Sequence, residues 1–170
     1  MRKNLRYMIL TALLAALVMV FTAYIGHIPM PGTGGYLHFG DALIFLAACL
    51  LPKPWGVLAG VLGAGLADLL SPYPVYALPT VVIKAAIALC FSVKKEKILC
   101  HRNALALLPA GVFTLGGYFL AEWVIFSREA ALLQSLTFNL IQWAGSAALF
   151  VLLGFAMDKA KLKQKLFAKY

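Results

Sequence analysis

The chain predicts an all-α integral membrane protein, a single six-transmembrane-helix bundle, and three observations carry that prediction. Charged residues make up only 12% of the 170 positions and hydrophobic ones 63%, whereas a soluble domain carries roughly 25% charged residues. The apolar residues gather into six stretches joined by short connections. The basic residues fall almost entirely in alternate connections, the bias expected of cytoplasmic loops. The length suits one domain, residues 1–170.

Segment one runs from about Arg6 to Ile25, behind Arg2 and Lys3. It is longer than the roughly 7–15 residue core of a signal peptide and lacks a small-x-small cleavage site, so it reads as a retained first helix. Segments four (about Val75 to Val93), five (about Ala104 to Phe126) and six (about Leu132 to Met157) also reach spanning length, roughly 17–25 residues. Segments two (about Phe39 to Leu51) and three (about Trp55 to Leu70) are short. Such a pair either crosses where the bilayer thins or forms a re-entrant hairpin with Pro52-Lys53-Pro54 at its tip. Crossing is the expectation, because Lys53 belongs in water.

Thirteen of fifteen Lys and Arg residues lie before segment one, between two and three, between four and five, or after six. Both termini are therefore expected in the cytoplasm. The opposite side carries loop 26–38, GHIPMPGTGGYLH, loop 71–74 and loop 127–131. The first is long and rich in Gly and Pro, and is expected to act as a lid.

The net charge of +9 does not indicate nucleic acid, since no basic stripe interleaves with aromatics. Cys49, Cys90 and Cys100 form no C-x-x-C, and His27, His38 and His101 are scattered, so no metal or cofactor is expected. There is no H-E-x-x-H, G-x-S-x-G or P-loop, and no enzyme is predicted.

Ionisable groups inside a membrane are costly and by default mark a functional site. Tyr76, Thr80 and Lys84 fall at i, i+4, i+8 on segment four, and Thr114, Tyr118 and Glu122 repeat that spacing on segment five. Asn139, Gln142, Trp143 and Ser146 share a face of segment six. The three stripes converge on an outward-facing site with Lys84 at its floor, roughly 12 Å below Tyr76 at 1.5 Å per residue. The competing reading is a polar network that joins helices, with Lys84 paired to Asp68 or Glu122. Asp41 and Asp68 are expected to be structural, Asp41 by capping segment two after Gly40. Trp123 and Trp143 also suit an interfacial belt. On segment three, Gly56, Ala59, Gly60, Gly63 and Ala67 form a small-residue face that allows close helix approach. Ala12 and Ala16 make a similar A-x-x-x-A on segment one.

The stretch YLHFGDALIFLAACLLPKPWGVLAGVLGAGLADLLSPYPVYALPTVVIKA, with Gly40-Asp41, the turn in which prolines flank Lys53 ahead of Gly56, Ala67-Asp68 and Lys84, resembles the S components of energy-coupling factor (ECF) vitamin transporters. Similarity is strongest over residues 36–85, and size and topology extend it along the chain. The resemblance implies a subunit that binds a vitamin from outside through its first outer loop, including His38, and helices four to six. It implies partnership with a membrane coupling subunit, contacted through Ala12 and Ala16, and with two ATPase subunits. The pattern is most similar to members linked to hydroxymethylpyrimidine or vitamin B6, with riboflavin and queuosine precursors also open. A self-sufficient proton- or ion-coupled permease for a small heterocycle is the alternative, and a non-transporting assembly factor a third.

Overall fold

The computed structural model describes residues 2–25, 28–30 and 35–167. Among the described residues, the regular secondary structure is helical apart from one small hairpin. Helix α1 spans Arg2–Ala23, about 33 Å at 1.5 Å per residue. Strands β1 (Ile28–Met30) and β2 (Gly35–Leu37) pair antiparallel, Pro29 opposite Tyr36. This hairpin occupies part of loop 26–38, the segment expected to act as a lid. Residues 26, 27 and 31–34 of that loop, His27 among them, lie outside the described residues.

Helices α2 (Asp41–Leu50) and α3 (Trp55–Leu70) follow, then a 3-10 turn at Pro74–Tyr76 leading into α4 (Ala77–Cys90). Helix α5 (His101–Leu105) and α6 (Leu107–Ile125) are separated by a turn at Ala106. Helix α7 (Arg128–Leu133) passes through a π-helical stretch, Gln134–Asn139, into α8 (Leu140–Lys159), and α9 (Leu162–Phe167) ends the described chain. Three helical runs, Lys3–Ala23, His101–Ile125 and Arg128–Lys159, are long and apolar enough to cross a membrane.

The short second segment owes its length to its position. All ten residues of α2 are buried, enclosed by α1, α3, α4 and α8. Helix α2 is about 15 Å long and meets protein rather than lipid, which is the usual setting of a 10–14 residue apolar helix. Pro52 stops it. The turn that follows lies at one end of the bundle, where Lys53 Nζ donates to Leu89 O near the end of α4 at 2.8 Å. Trp55 there packs on Tyr7 near the start of α1.

The expected small-residue face of α3 is buried. A Cβ on Gly63 would lie 2.5 Å from Ala15 O on α1, and one on Gly60 would lie 2.7 Å from Ile44 on α2. Backbones therefore approach closely on two sides of α3, which sets its register against both neighbours. Phe45 of α2 stacks on Phe91 at 4.8 Å and meets Phe150 of α8 edge-on at 5.7 Å. The outer surface is an apolar belt that includes Leu78, Val112, Val124, Leu152 and Phe155. Exposed apolar area this extensive marks a membrane-facing surface.

One local expectation is corrected. Loop 127–131 is mostly helix, because Ser127 Oγ accepts from Ala130 N at 3.2 Å and caps α7. The basic tail after Met157 folds into α9, where Lys163 is buried and donates to Val93 O and Lys95 O at 2.9 and 2.6 Å. The connection between α4 and α5 is likewise tied down. Asp158 accepts from the amides of Ile98 and Leu99 at 2.8 and 2.9 Å, and Asn103 bonds both backbone groups of Ser92.

Candidate functional site

The three polar stripes predicted on separate helices meet inside the bundle. Tyr76, Thr80, Lys84, Thr114, Tyr118, Glu122, Asn139, Gln142 and Ser146 are all buried, none more than 7% exposed. Helix periodicity explains this locally, since residues four apart stack on one face. An apolar remainder leaves that face as the one directed inward.

Lys84 and Asp41 form the centre. Lys84 Nζ lies 2.7 Å from Asp41 Oδ1 and 2.8 Å from Oδ2, with both side chains fully buried. Isolated charges at such a place would carry a desolvation penalty of several kcal/mol each, about what a close pair with further hydrogen bonds can offset. Asp41 opens α2, where the positive end of the helix dipole also favours a carboxylate. Asp41 was expected to cap this helix, and the competing reading of the polar residues paired Lys84 with Asp68 or Glu122. Instead no side-chain cap forms at Gly40, and the Asp41 carboxylate turns to the lysine.

The pair is braced on both sides. Gln142 Nε2 approaches Asp41 Oδ2 at 3.5 Å, and Gln142 Oε1 accepts from the backbone of His38 at 3.4 Å. His38 is buried just after β2, and its Nδ1 accepts from Gly40 N at 3.1 Å. In the neutral ring this leaves the proton on Nε2. The Lys84 ammonium lies 4.9 Å from the centre of the Tyr118 ring, a cation–π distance. Tyr118 Oη and Thr80 Oγ1 share a hydrogen bond of 3.0 Å. Tyr76 sits above, its ring 6.4 Å from Tyr118 and 6.0 Å from Phe126.

A second polar contact joins α6 to the π-helical stretch. Asn139 Nδ2 donates to Glu122 Oε1 at 3.2 Å. Asp68 is buried near the end of α3. π-Helical turns inside helices occur frequently at functional sites, and here one delivers Asn139.

Trp143 does not join the cluster. Its Nε1 donates to Leu107 O at 3.0 Å, and its ring covers Gly111 near the start of α6. Glycine there leaves the room an indole needs, so Trp143 packs between helices. Trp123 is half-exposed and packs on Phe119. Ala12 and Ala16 lie on the exposed face of α1, while Ala15 and Val18 face α3. The sequence reading missed the His38–Gln142–Asp41 link. The available signal was a carboxylate, Asp41, three residues after a histidine at the start of an apolar segment.

The family model for the S component of ECF-type riboflavin transporters matches residues 2–159. A Pyrococcus woesei protein described as an uncharacterized protein in gap 3'region is 32% identical over 114 residues, which covers 66% of this chain and 76% of that relative. The bundle, its apolar surface and this match agree: the chain belongs to the S-component family, membrane proteins that serve as the substrate-binding subunits of ECF-type transporters and are not enzymes.

Proposed function

We propose that this subunit captures a small heterocyclic vitamin or precursor, pyridoxine or hydroxymethylpyrimidine in preference, through the cluster built around Lys84. In this reading six segments cross a prokaryotic cell membrane with both termini in the cytoplasm. The loop 26–38 closes over the site, and the ligand is released inside with a coupling subunit and two ATPase subunits. Ala12 and Ala16 meet the coupling subunit.

The observation that carries the reading is the buried Glu122–Asn139 contact beside the Lys84–Asp41 pair. A carboxylate next to an amide can meet an amino group and a ring nitrogen together, as an aminopyrimidine presents them. Thr80 and Tyr118 offer hydroxyls to a hydroxymethyl group, and Tyr76 offers a face for stacking. His38 and Gln142 hold the floor, and the ion pair fixes the Tyr118 ring. Asp68 is assigned a structural part, and Trp143 one of packing beside the site. A riboflavin-sized ligand is the second reading, because the matching family model carries that vitamin in its description.

Titration of the purified, detergent-solubilised protein with pyridoxine, hydroxymethylpyrimidine and riboflavin tests the proposal, followed by tryptophan fluorescence and thermal stability. Saturable binding of one compound without ATP or an ion gradient supports it and names the cargo. Silence from folded protein across the panel removes it. Proton-driven uptake by this chain alone in liposomes would instead establish a self-sufficient permease.

A further inference from the structure

At the far end of α2 from Asp41 lies a cavity of about 820 Å³, within the range of ligand sites. Five of its lining residues are cationic: Lys3 and Arg6 of α1, Lys94 and Lys95 after α4, and Lys163 of α9. Glu96 is its one acidic lining residue, and it accepts from Gln164 Nε2 at 3.4 Å. Among the described residues, none of the five cations forms an ion pair.

The positive-inside bias explains why basic residues occur at this end. It does not explain a hollow with like charges gathered around it. Their positions are built, not incidental. Lys163 uses two of its three donors on Val93 O and Lys95 O, which holds the segment of residues 93–96 against α9. Burial holds the Lys163 ammonium below the usual lysine range, a penalty that an adjacent anion relieves. Arg6 lies 5.4 Å from the centre of the Phe167 ring, and Phe167 packs on Tyr7, which fixes the guanidinium at the rim. Beside that rim begins the exposed apolar face of α1, with Leu5, Met8 and Ile9 all more than half exposed.

We propose that this cavity binds the phosphate headgroup of an anionic phospholipid from the adjoining leaflet, with its acyl chains lying along the exposed face of α1. The chemistry that recognises it is a phosphodiester anion on four or five cations at the membrane surface. Each basic residue near such a surface contributes about 1 kcal/mol, or roughly fivefold in affinity. The acyl chains supply what a soluble phosphate ester lacks, contact with the α1 face.

The test is native mass spectrometry of delipidated, full-length protein titrated with dioleoylphosphatidylglycerol. Dioleoylphosphatidylcholine and glycerol phosphate serve as the comparison probes. The expected result is one phosphatidylglycerol per chain, with a roughly thirtyfold loss of affinity in the Lys94→Gln/Lys95→Gln variant. Both side chains are exposed, so the fold is retained. Lys159→Gln/Lys165→Gln, outside the cavity, leaves binding unchanged. Equal retention of phosphatidylcholine, or an equal loss from the Lys159/Lys165 variant, would overturn the site. Displacement of phosphatidylglycerol by equimolar glycerol phosphate would assign the cavity to soluble phosphate esters and overturn the lipid.

Discussion

Lys84 Nζ and the Asp41 carboxylate face each other at 2.7 Å, fully buried, across 43 residues of sequence. The pair ties the middle of α4 to the first turn of α2 and holds the Tyr118 ring from below. It follows that Lys84→Met alone destabilises the protein by about 3–5 kcal/mol, because it leaves an uncompensated carboxylate in the core. The double variant Lys84→Met/Asp41→Leu recovers most of that loss. Denaturation in detergent measures both. If the double variant is no more stable than the single, the pair is not the source of the cost.

Glu122 and Asn139 are the pair most open to test as ligand contacts. A hydrogen bond to a charged group contributes about 1.5–3 kcal/mol, so Glu122→Gln lowers vitamin affinity by roughly one to two orders of magnitude. The change is isosteric and keeps an acceptor for Asn139, so thermal stability without ligand stays near that of the parent. Fluorescence titration of the variant reads the effect directly, and unchanged affinity excludes Glu122 from the site.

Two glycines separate packing from helix propensity. Gly63→Ala pushes a methyl group onto Ala15 O and Val18 and costs about 1–3 kcal/mol by overpacking α1 against α3. Gly116, on the exposed side of α6, has open space where a methyl group would sit, with nothing within 4 Å. Gly116→Ala is neutral or stabilises by about 0.5–1 kcal/mol through backbone entropy. Thermal unfolding of the two variants in one detergent compares them.

Ala12 and Ala16 are exposed on α1. Ala12→Leu/Ala16→Leu therefore leaves the unfolding temperature and ligand affinity of the isolated subunit unchanged, yet abolishes co-purification with the coupling and ATPase subunits. Retained association would move the coupling surface elsewhere on the chain.

The sequence alone determined the membrane-embedded helical bundle, because apolar length and charge bias are properties of each segment taken singly. It also determined the three buried stripes: a 3.6-residue period fixes which side chains share a face of one helix, whatever that helix packs against. The small residues of α3 were legible as a close-approach face for the same reason. The tertiary structure decided which polar groups meet. Asp41 became the partner of Lys84, and Asp68 and Glu122 did not, because Gly60 against Ile44 and Gly63 against Ala15 set how far α3 slides on α2 and α1. Trp143 turned from the stripe to cover Gly111, and ten residues sufficed for α2 because protein encloses it. Periodicity gives the angle of a side chain around its own axis. The register and crossing of neighbouring helices, set by contacts far apart in sequence, give the rest.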